Sequence, residues 1–200
     1  MKLIYKFDPL QHHGWFVISE DDLKNYPQHY FPFELFSHSK VIFPNKDLSF
    51  EICLPSNINY EKQLRDLIIS LNQKINMNNY PRTFHELKSF LSQAMMLPPL
   101  YVQFRDKKGV YKKLSFELAK KDFTHTEWDV MNKISTLRLK WDFKSNFIVN
   151  YLSKFQSSLI FKKIFRRFIV PKVSKDTSEF LSNVIYPDLL LLMKSMLKKL

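Results

Sequence analysis

The sequence predicts an α+β fold, with antiparallel β-hairpins mainly in the N-terminal half and helices dominating a basic C-terminal half. Short apolar runs flank turn residues in the first part, whereas apolar residues recur at three- and four-residue spacing in the rest. With 45% apolar and 16% aromatic residues, 200 residues can fill a core. We expect a mixed α/β region over 1–118, near-neutral up to residue 100, and a helical basic region over 119–200 packed on it as one structural unit.

Two hairpins are predicted near the N-terminus. Residues 2–7 and 15–18 are short apolar runs on either side of one loop. Residues 40–43 and 48–54 enclose a second loop, whose Pro, Asn, Lys and Asp residues are typical of a turn. Both pairs are expected to form antiparallel strands.

Two helices are predicted next. Apolar residues recur at three- and four-residue spacing over 59–76, which places one apolar stripe on a helix. Thr83 and Glu86 form a capping box, which predicts the start of the second helix. We expect this helix to end at Pro98 and Pro99, because proline removes a helical hydrogen bond.

A third hairpin is predicted over 101–116. Residues 101–104 and 110–116 flank a basic tip that contains Gly109, one of only two glycines in the chain. A hairpin loop often needs a residue with positive φ, which glycine adopts without steric cost.

The remainder is predicted to be helical. Thr124 and Glu127 form another capping box. Residues 143–169 have an apolar stripe that predicts one long helix or two, ended by Pro171. A last helix is expected to be capped by Asp176 with Glu179 and to continue beyond Pro187.

The positive charge of the chain is concentrated in its second half. Residues 1–100 hold 10 Lys and Arg against 10 Asp and Glu, whereas residues 101–200 hold 21 against 9, so the net charge of +12 belongs to the second half. No acidic residue lies in residues 143–175, here called the basic segment, which carries eight cations. Such a concentrated positive field attracts nucleic acid or anionic lipid.

The basic segment is the main candidate for binding phosphates. On a helix, Lys162 with Arg166 and Lys163 with Arg167 are like-charge pairs that cost a few tenths of a kcal/mol each unless an anion lies between them. Arginine also binds phosphate through two parallel hydrogen bonds. The predicted nucleic-acid-binding residues are Lys154, Lys162, Lys163, Arg166, Arg167, Lys172 and Lys175, together with Lys107, Lys108, Lys112 and Lys113 of the basic hairpin.

The same segment has two other interpretations. It could be the solvated face of a core helix, or a basic amphipathic helix lying on a membrane. The apolar stripe begins at Phe147 and continues to Phe168 at helix spacing, and a stripe that long predicts burial in the core. This interpretation disfavours both membrane insertion and stacking of these aromatic rings on unpaired bases.

No catalytic, cofactor-binding or metal-binding residues are predicted. The six histidines lack metal-ligand spacing, and Cys53 is expected to be a buried thiol. The two glycines lie too far apart for a phosphate-cradling loop. No transmembrane helix is predicted, because Pro187, Asp188 and three lysines interrupt the apolar C-terminal residues.

We therefore expect a non-catalytic, RNA-binding structural component of a large ribonucleoprotein, with RNA and neighbouring proteins as partners. Two Gly, 6 Arg against 25 Lys, and 19 Phe are typical of an AT-rich genome, and the composition resembles that of proteins encoded in ciliate mitochondria. This favours a mitochondrial ribosomal protein in the matrix. The alternatives are a protein-interaction or membrane-surface subunit, or a DNA-binding viral or phage protein, in the cytoplasm or a virus.

Overall fold

The computed structural model describes residues 10, 19, 21, 59–77, 80–107, 112–139, 146–156 and 158–200. Of these residues 79% are helical, and none belongs to a strand. The predicted α+β class is therefore wrong for the described part of the chain, which is helix-dominated. The two predicted N-terminal hairpins, over 2–18 and 40–54, lie outside the described residues.

The described helices follow one another through short connections. In chain order they are α1 (Tyr60–Asn76), α2 (Phe84–Ala94), α3 (Leu97–Asp106), α4 (Lys112–Lys120), α5 (His125–Leu139), α6 (Phe147–Ser153), α7 (Leu159–Ile164), α8 (Lys175–Phe180) and α9 (Tyr186–Leu197). A π-helical turn (Phe165–Ile169) continues α7, and a second one (Leu181–Ile185) joins α8 to α9.

The first two helices form where the sequence predicts, except that α2 ends at Ala94 rather than at Pro98 and Pro99. The stripe of α1 buries Leu64, Ile68 and Leu71. At the start of α2 the Thr83 hydroxyl accepts from the Glu86 N–H at 3.3 Å, and the Glu86 carboxylate accepts from the Thr83 N–H at 3.4 Å. The predicted capping box is confirmed.

The predicted hairpin over 101–116 is wrong, because this region forms α3 and α4. Pro98 and Pro99 do not end a helix but lie in the first turn of α3, where the missing N–H costs nothing. Tyr101 and Val102 are adjacent in the sequence and both are buried, so α3 is buried on more than one face. Its apolar residues therefore do not show the three- and four-residue spacing that predicts a helix. Lys107, with φ of 50°, ends the helix in the left-handed conformation expected of a glycine.

The C-terminal helices agree with the predictions except at the start of the last helix. The Thr124–Glu127 capping box forms, with the Glu127 N–H donating to the Thr124 hydroxyl at 3.3 Å. Residues 143–169 hold two helices, α6 and α7. The last helix is capped by Ser174, which accepts from the Thr177 N–H at 3.2 Å, rather than by Asp176.

The described residues contain two hydrophobic clusters. The larger is built mainly from α1, α2, α3, α5 and α9. It therefore contains residues of both predicted regions, 1–118 and 119–200. The smaller buries Leu10, Val149, Phe165 and Val170. Phe84 is partly buried against both clusters, so it links the smaller cluster to the larger one.

Residues Lys175–Leu197 form the one helix in the described ranges that is long and apolar enough to cross a membrane. Core helices of globular proteins meet the same criterion. In this fold 39% of its most apolar stretch is buried, and Leu189 and Leu192 belong to the larger cluster.

Candidate nucleic-acid interface

Two side-chain caps determine where the helices of the basic segment begin. The side-chain amide oxygen of Asn146 accepts from the Val149 N–H at 2.8 Å at the start of α6, and the Ser158 hydroxyl accepts from the Phe161 N–H at 3.5 Å at the start of α7. Asparagine and serine favour such positions because each satisfies an otherwise unpaired helical N–H. The two caps break the long stripe into two short helices.

The π-helical turn (Phe165–Ile169) changes the spacing of the cations. Its closing bond runs from the Val170 N–H to the Phe165 carbonyl at 2.9 Å, five residues apart. Arg166 and Arg167 lie in this turn and Lys162 and Lys163 in the α-helix before it. The four cations therefore do not keep the i,i+4 register of a regular α-helix.

The end of the basic segment is attached to the start of α2. The Phe84 N–H donates to the Pro171 carbonyl at 3.1 Å, and the Val173 N–H donates to the Arg82 carbonyl at 3.0 Å. Thr83 and Lys172 form an antiparallel bridge between these bonds. The backbone that carries Lys172 is thereby fixed to the body of the protein.

The predicted cations of the basic segment differ in exposure. Lys154, Lys163, Arg167 and Lys172 are exposed, whereas Lys162 and Arg166 are half-buried. The remaining one, Lys175, is exposed and forms an ion pair with Glu179 at 3.5 Å. Four exposed cations of the segment are therefore the main group available to an anion.

The second predicted group lies on other helices. Lys107 ends α3 with its ammonium 4.2 Å from the centre of the Phe104 ring. Lys112 and Lys113 are exposed at the start of α4, and Lys108 lies outside the described residues. Desolvation lowers the pKa of Lys112, and the positive charge of Arg138 lowers it further. This second group lies at α3 and α4, which pack on each other. The cations of the basic segment lie at α6, α7 and the residues after them, so the two groups are carried by different helices.

The long apolar stripe of the basic segment is not core, contrary to prediction. Phe147 is 81% exposed, Leu159 78% and Phe168 74%, and five further apolar residues are exposed with them: Ile148, Tyr151, Phe155, Ile160 and Ile164. Helix α6 has seven residues, and apolar residues lie on more than one of its faces. Because only one face can pack against the protein, another apolar face remains exposed to solvent. That excess was the sequence signal for an exposed surface.

Five rings of the basic segment form a continuous row, here called the aromatic row: Phe147, Tyr151, Phe155, Phe161 and Phe165. Successive ring centres lie 6.1, 5.9, 5.8 and 6.3 Å apart. The first three rings are exposed and the last is fully buried in the smaller cluster. The row therefore runs from solvent to an anchor inside the fold.

Elsewhere the described residues offer less for an anion. A cavity of about 250 Å³ is lined by Lys74, His85 and Glu86 among others. The Lys74 ammonium already donates to the Gln93 side chain at 2.6 Å, and Glu86 contributes a negative charge. No group of three or more potential metal ligands occurs within the described ranges.

No protein-family model matches this chain, and neither a curated protein nor a solved structure shows significant similarity to it.

Proposed function

We propose that the protein is a non-catalytic, RNA-binding structural component of a large ribonucleoprotein. The observation that carries this proposal is the surface of Lys154, Lys163, Arg167 and Lys172, four exposed cations in a segment without a carboxylate. The assignment to a mitochondrial ribosome, and hence to the matrix, rests on composition alone.

The charge pattern favours a polyanion over a single small anion. The four cations lie just after α6, in α7, in its π-helical turn and in the bridge to α2, and are not gathered around one cavity. A chain of phosphates can contact cations spaced in this way, and each contact releases condensed counterions. Such binding is independent of base sequence and weakens steeply as salt increases.

The exposed aliphatic residues support membership of a larger assembly. Ile148, Leu159, Ile160 and Ile164 are exposed in the same segment as the cations. Large exposed apolar side chains gathered in one segment are typical of interaction sites in folded proteins. In a ribonucleoprotein these side chains would be covered by neighbouring protein.

A second candidate function is attachment to an anionic membrane surface. The specific observation in its favour is that Ile160, Ile164 and Phe168 follow one another at four-residue spacing on the exposed side of α7 and its π-helical turn. Lysine and arginine next to such a stripe are typical of interfacial helices.

The proposal is tested by the salt dependence of RNA binding to the full chain. The double variant Lys163→Gln, Arg167→Gln removes two exposed cations whose loss leaves no buried charge unpaired. We expect weaker binding to every RNA sequence, and a slope of log K against log salt that is less steep by about 1.4, at about 0.7 per lost phosphate contact on a single strand. Fluorescence anisotropy at several salt concentrations measures both.

A matched control removes the same charge from another surface. Lys120 and Lys121 are adjacent exposed cations at the end of α4, next to Asp122. The variant Lys120→Gln, Lys121→Gln should leave the slope unchanged. Equal effects of the two double variants, or no RNA binding at low salt, would contradict the proposal, and binding to anionic vesicles instead would support the membrane alternative.

A further inference from the structure

We propose that the RNA bound by this surface is single-stranded, and that its unpaired bases stack on the exposed rings Phe147, Tyr151 and Phe155. This inference rests on the proposed function and adds to it the class of RNA. It also assigns a binding role to aromatic residues whose spacing in the sequence predicts burial in the core.

The exposed rings offer π-faces on which bases can stack. Phe147 and Tyr151 are nearly parallel, with planes 17° apart, and Phe155 meets Tyr151 edge to face. Every base has a flat π-face, so stacking on aromatic side chains tolerates any sequence. The buried ring of Phe165 anchors the row in the fold and limits the entropy lost when a base stacks.

A cation lies beside the exposed rings, as contact with a nucleotide requires. The Lys154 ammonium is 5.7 Å from the centre of the Tyr151 ring. Farther along the segment the Arg167 guanidinium is 5.5 Å from the centre of the ring of Phe168, which is exposed but does not belong to the aromatic row. A nucleotide presents a flat base and a charged phosphate within one residue of its chain. Rings and cations at this spacing match both parts of it.

A duplex fits this surface less well than a single strand. Paired bases are stacked within the helix, and double-stranded RNA offers proteins mainly its phosphates and 2′-hydroxyls. The exposed rings of Phe147 and Tyr151 would then be desolvated against polar groups without gaining a stacking partner. Unpaired bases provide that partner.

The arrangement of the cations also favours RNA over lipid. An interfacial helix separates its apolar face, which enters the membrane, from a cationic face that stays in the headgroups. In α7 and its π-helical turn the inward side is taken by the buried Phe165. Lys163 and Arg167 therefore share the outward side with Ile160 and Ile164, and the apolar side chains are not segregated from the charges.

The first experiment uses the wild-type full chain and three labelled probes of equal length. These are a mixed-sequence single-stranded RNA, the same RNA as a duplex, and an abasic ribose-phosphate strand. We expect the abasic strand to bind at least about tenfold more weakly than the intact strand, because each stacked base contributes about fivefold or more. The duplex should also bind more weakly than the intact strand at the same salt.

The second experiment replaces the rings without removing apolar volume. The triple variant Phe147→Leu, Tyr151→Leu, Phe155→Leu should lose about tenfold or more in affinity for the intact strand, with little change for the abasic strand and an unchanged salt slope. The control Phe180→Leu changes an exposed phenylalanine next to Asp129 and should bind all three probes like the wild type.

The outcomes separate this inference from the proposed function. Equal affinity for the intact and abasic strands, with the salt slope still reduced by Lys163→Gln, Arg167→Gln, would overturn base stacking and leave RNA binding standing. Failure to bind any of the three probes at low salt would overturn both. Vesicle binding that is lost in the triple variant, without RNA binding, would assign the rings to lipid.

Discussion

Glu127 is the residue at which several local interactions meet. Its carboxylate accepts hydrogen bonds from the Thr124 N–H at 2.8 Å, from the Thr124 hydroxyl at 2.9 Å and from the Ser195 hydroxyl. These bonds, the one from Ser195 above all, hold the pKa of Glu127 below its ordinary value of 4.5. The side chain thus caps α5 and joins it to α9.

The depressed pKa of Glu127 predicts a pH-dependent contribution to stability. A carboxylate whose pKa is lower in the folded than in the unfolded protein stabilises the fold above its unfolded pKa and loses that effect as pH falls through its folded pKa. Glu127→Gln should lower the free energy of unfolding by about 1 kcal/mol at pH 7. The loss should shrink below about pH 4.5 and be smallest at pH 3. Urea titration followed by circular dichroism measures it.

The control for this prediction is Glu179→Gln. Glu179 is exposed and pairs with the exposed Lys175 at 3.5 Å, an arrangement that contributes little to stability. Its replacement should change the free energy of unfolding by no more than a few tenths of a kcal/mol at either pH. A loss for Glu127→Gln that is the same at pH 7 and pH 3 would contradict the assigned role of the carboxylate.

At the scale of elements, Ser174 rather than Asp176 begins the helix Lys175–Leu197. The Ser174 hydroxyl accepts from the Thr177 N–H and donates to the Thr177 hydroxyl at 2.9 Å. Ser174→Ala should destabilise the protein by about 1 kcal/mol, and Ser174→Gly by only a few tenths. Asp176→Asn should cost a few tenths, since it removes only a favourable charge in the first turn. Thermal and urea unfolding of the three variants would show this order, and a larger loss for Asp176→Asn would restore the sequence assignment.

The elements themselves were more predictable than their surroundings. The stripe of α1 and the capping boxes at Thr83 and Thr124 depend on local spacing, which the sequence contains in full. Helix α3 was missed because Pro98 and Pro99 can either end a helix or occupy its first turn. Only the packing around α3 decides between the two.

The candidate site was predicted in part. The exposed cations Lys163 and Arg167 could be identified because acidic residues are absent from their neighbourhood. The burial of Phe147 and Tyr151 was predicted wrongly, because four-residue spacing shows only that apolar residues share a face, whereas the excess of apolar residues in α6 indicates that one face is exposed. In α6 the buried residues are Val149 and Ser153, and Phe147 and Tyr151 are left exposed.

At the scale of the molecule, the helix Lys175–Leu197 packs one side into the larger cluster from Leu181 onward. Leu189 is fully buried, whereas Leu191 on the same helix is 46% exposed. Leu189→Ala should lower the free energy of unfolding by about 2–5 kcal/mol, because it leaves a cavity in the larger cluster. The matched variant Leu191→Ala should cost less than about 1 kcal/mol. Urea unfolding distinguishes them, and equal small losses would show that this helix does not pack as described.

The smaller cluster joins parts of the chain that are distant in the sequence. Among the described residues it buries Leu10 together with Val149, Phe165 and Val170. A ligand that binds only the closed form of this cluster adds its own binding free energy to the stability of the cluster. If the basic segment binds RNA as proposed, closure of the cluster around Leu10 and RNA binding are thermodynamically linked, and a substitution at Leu10 would change the affinity for RNA.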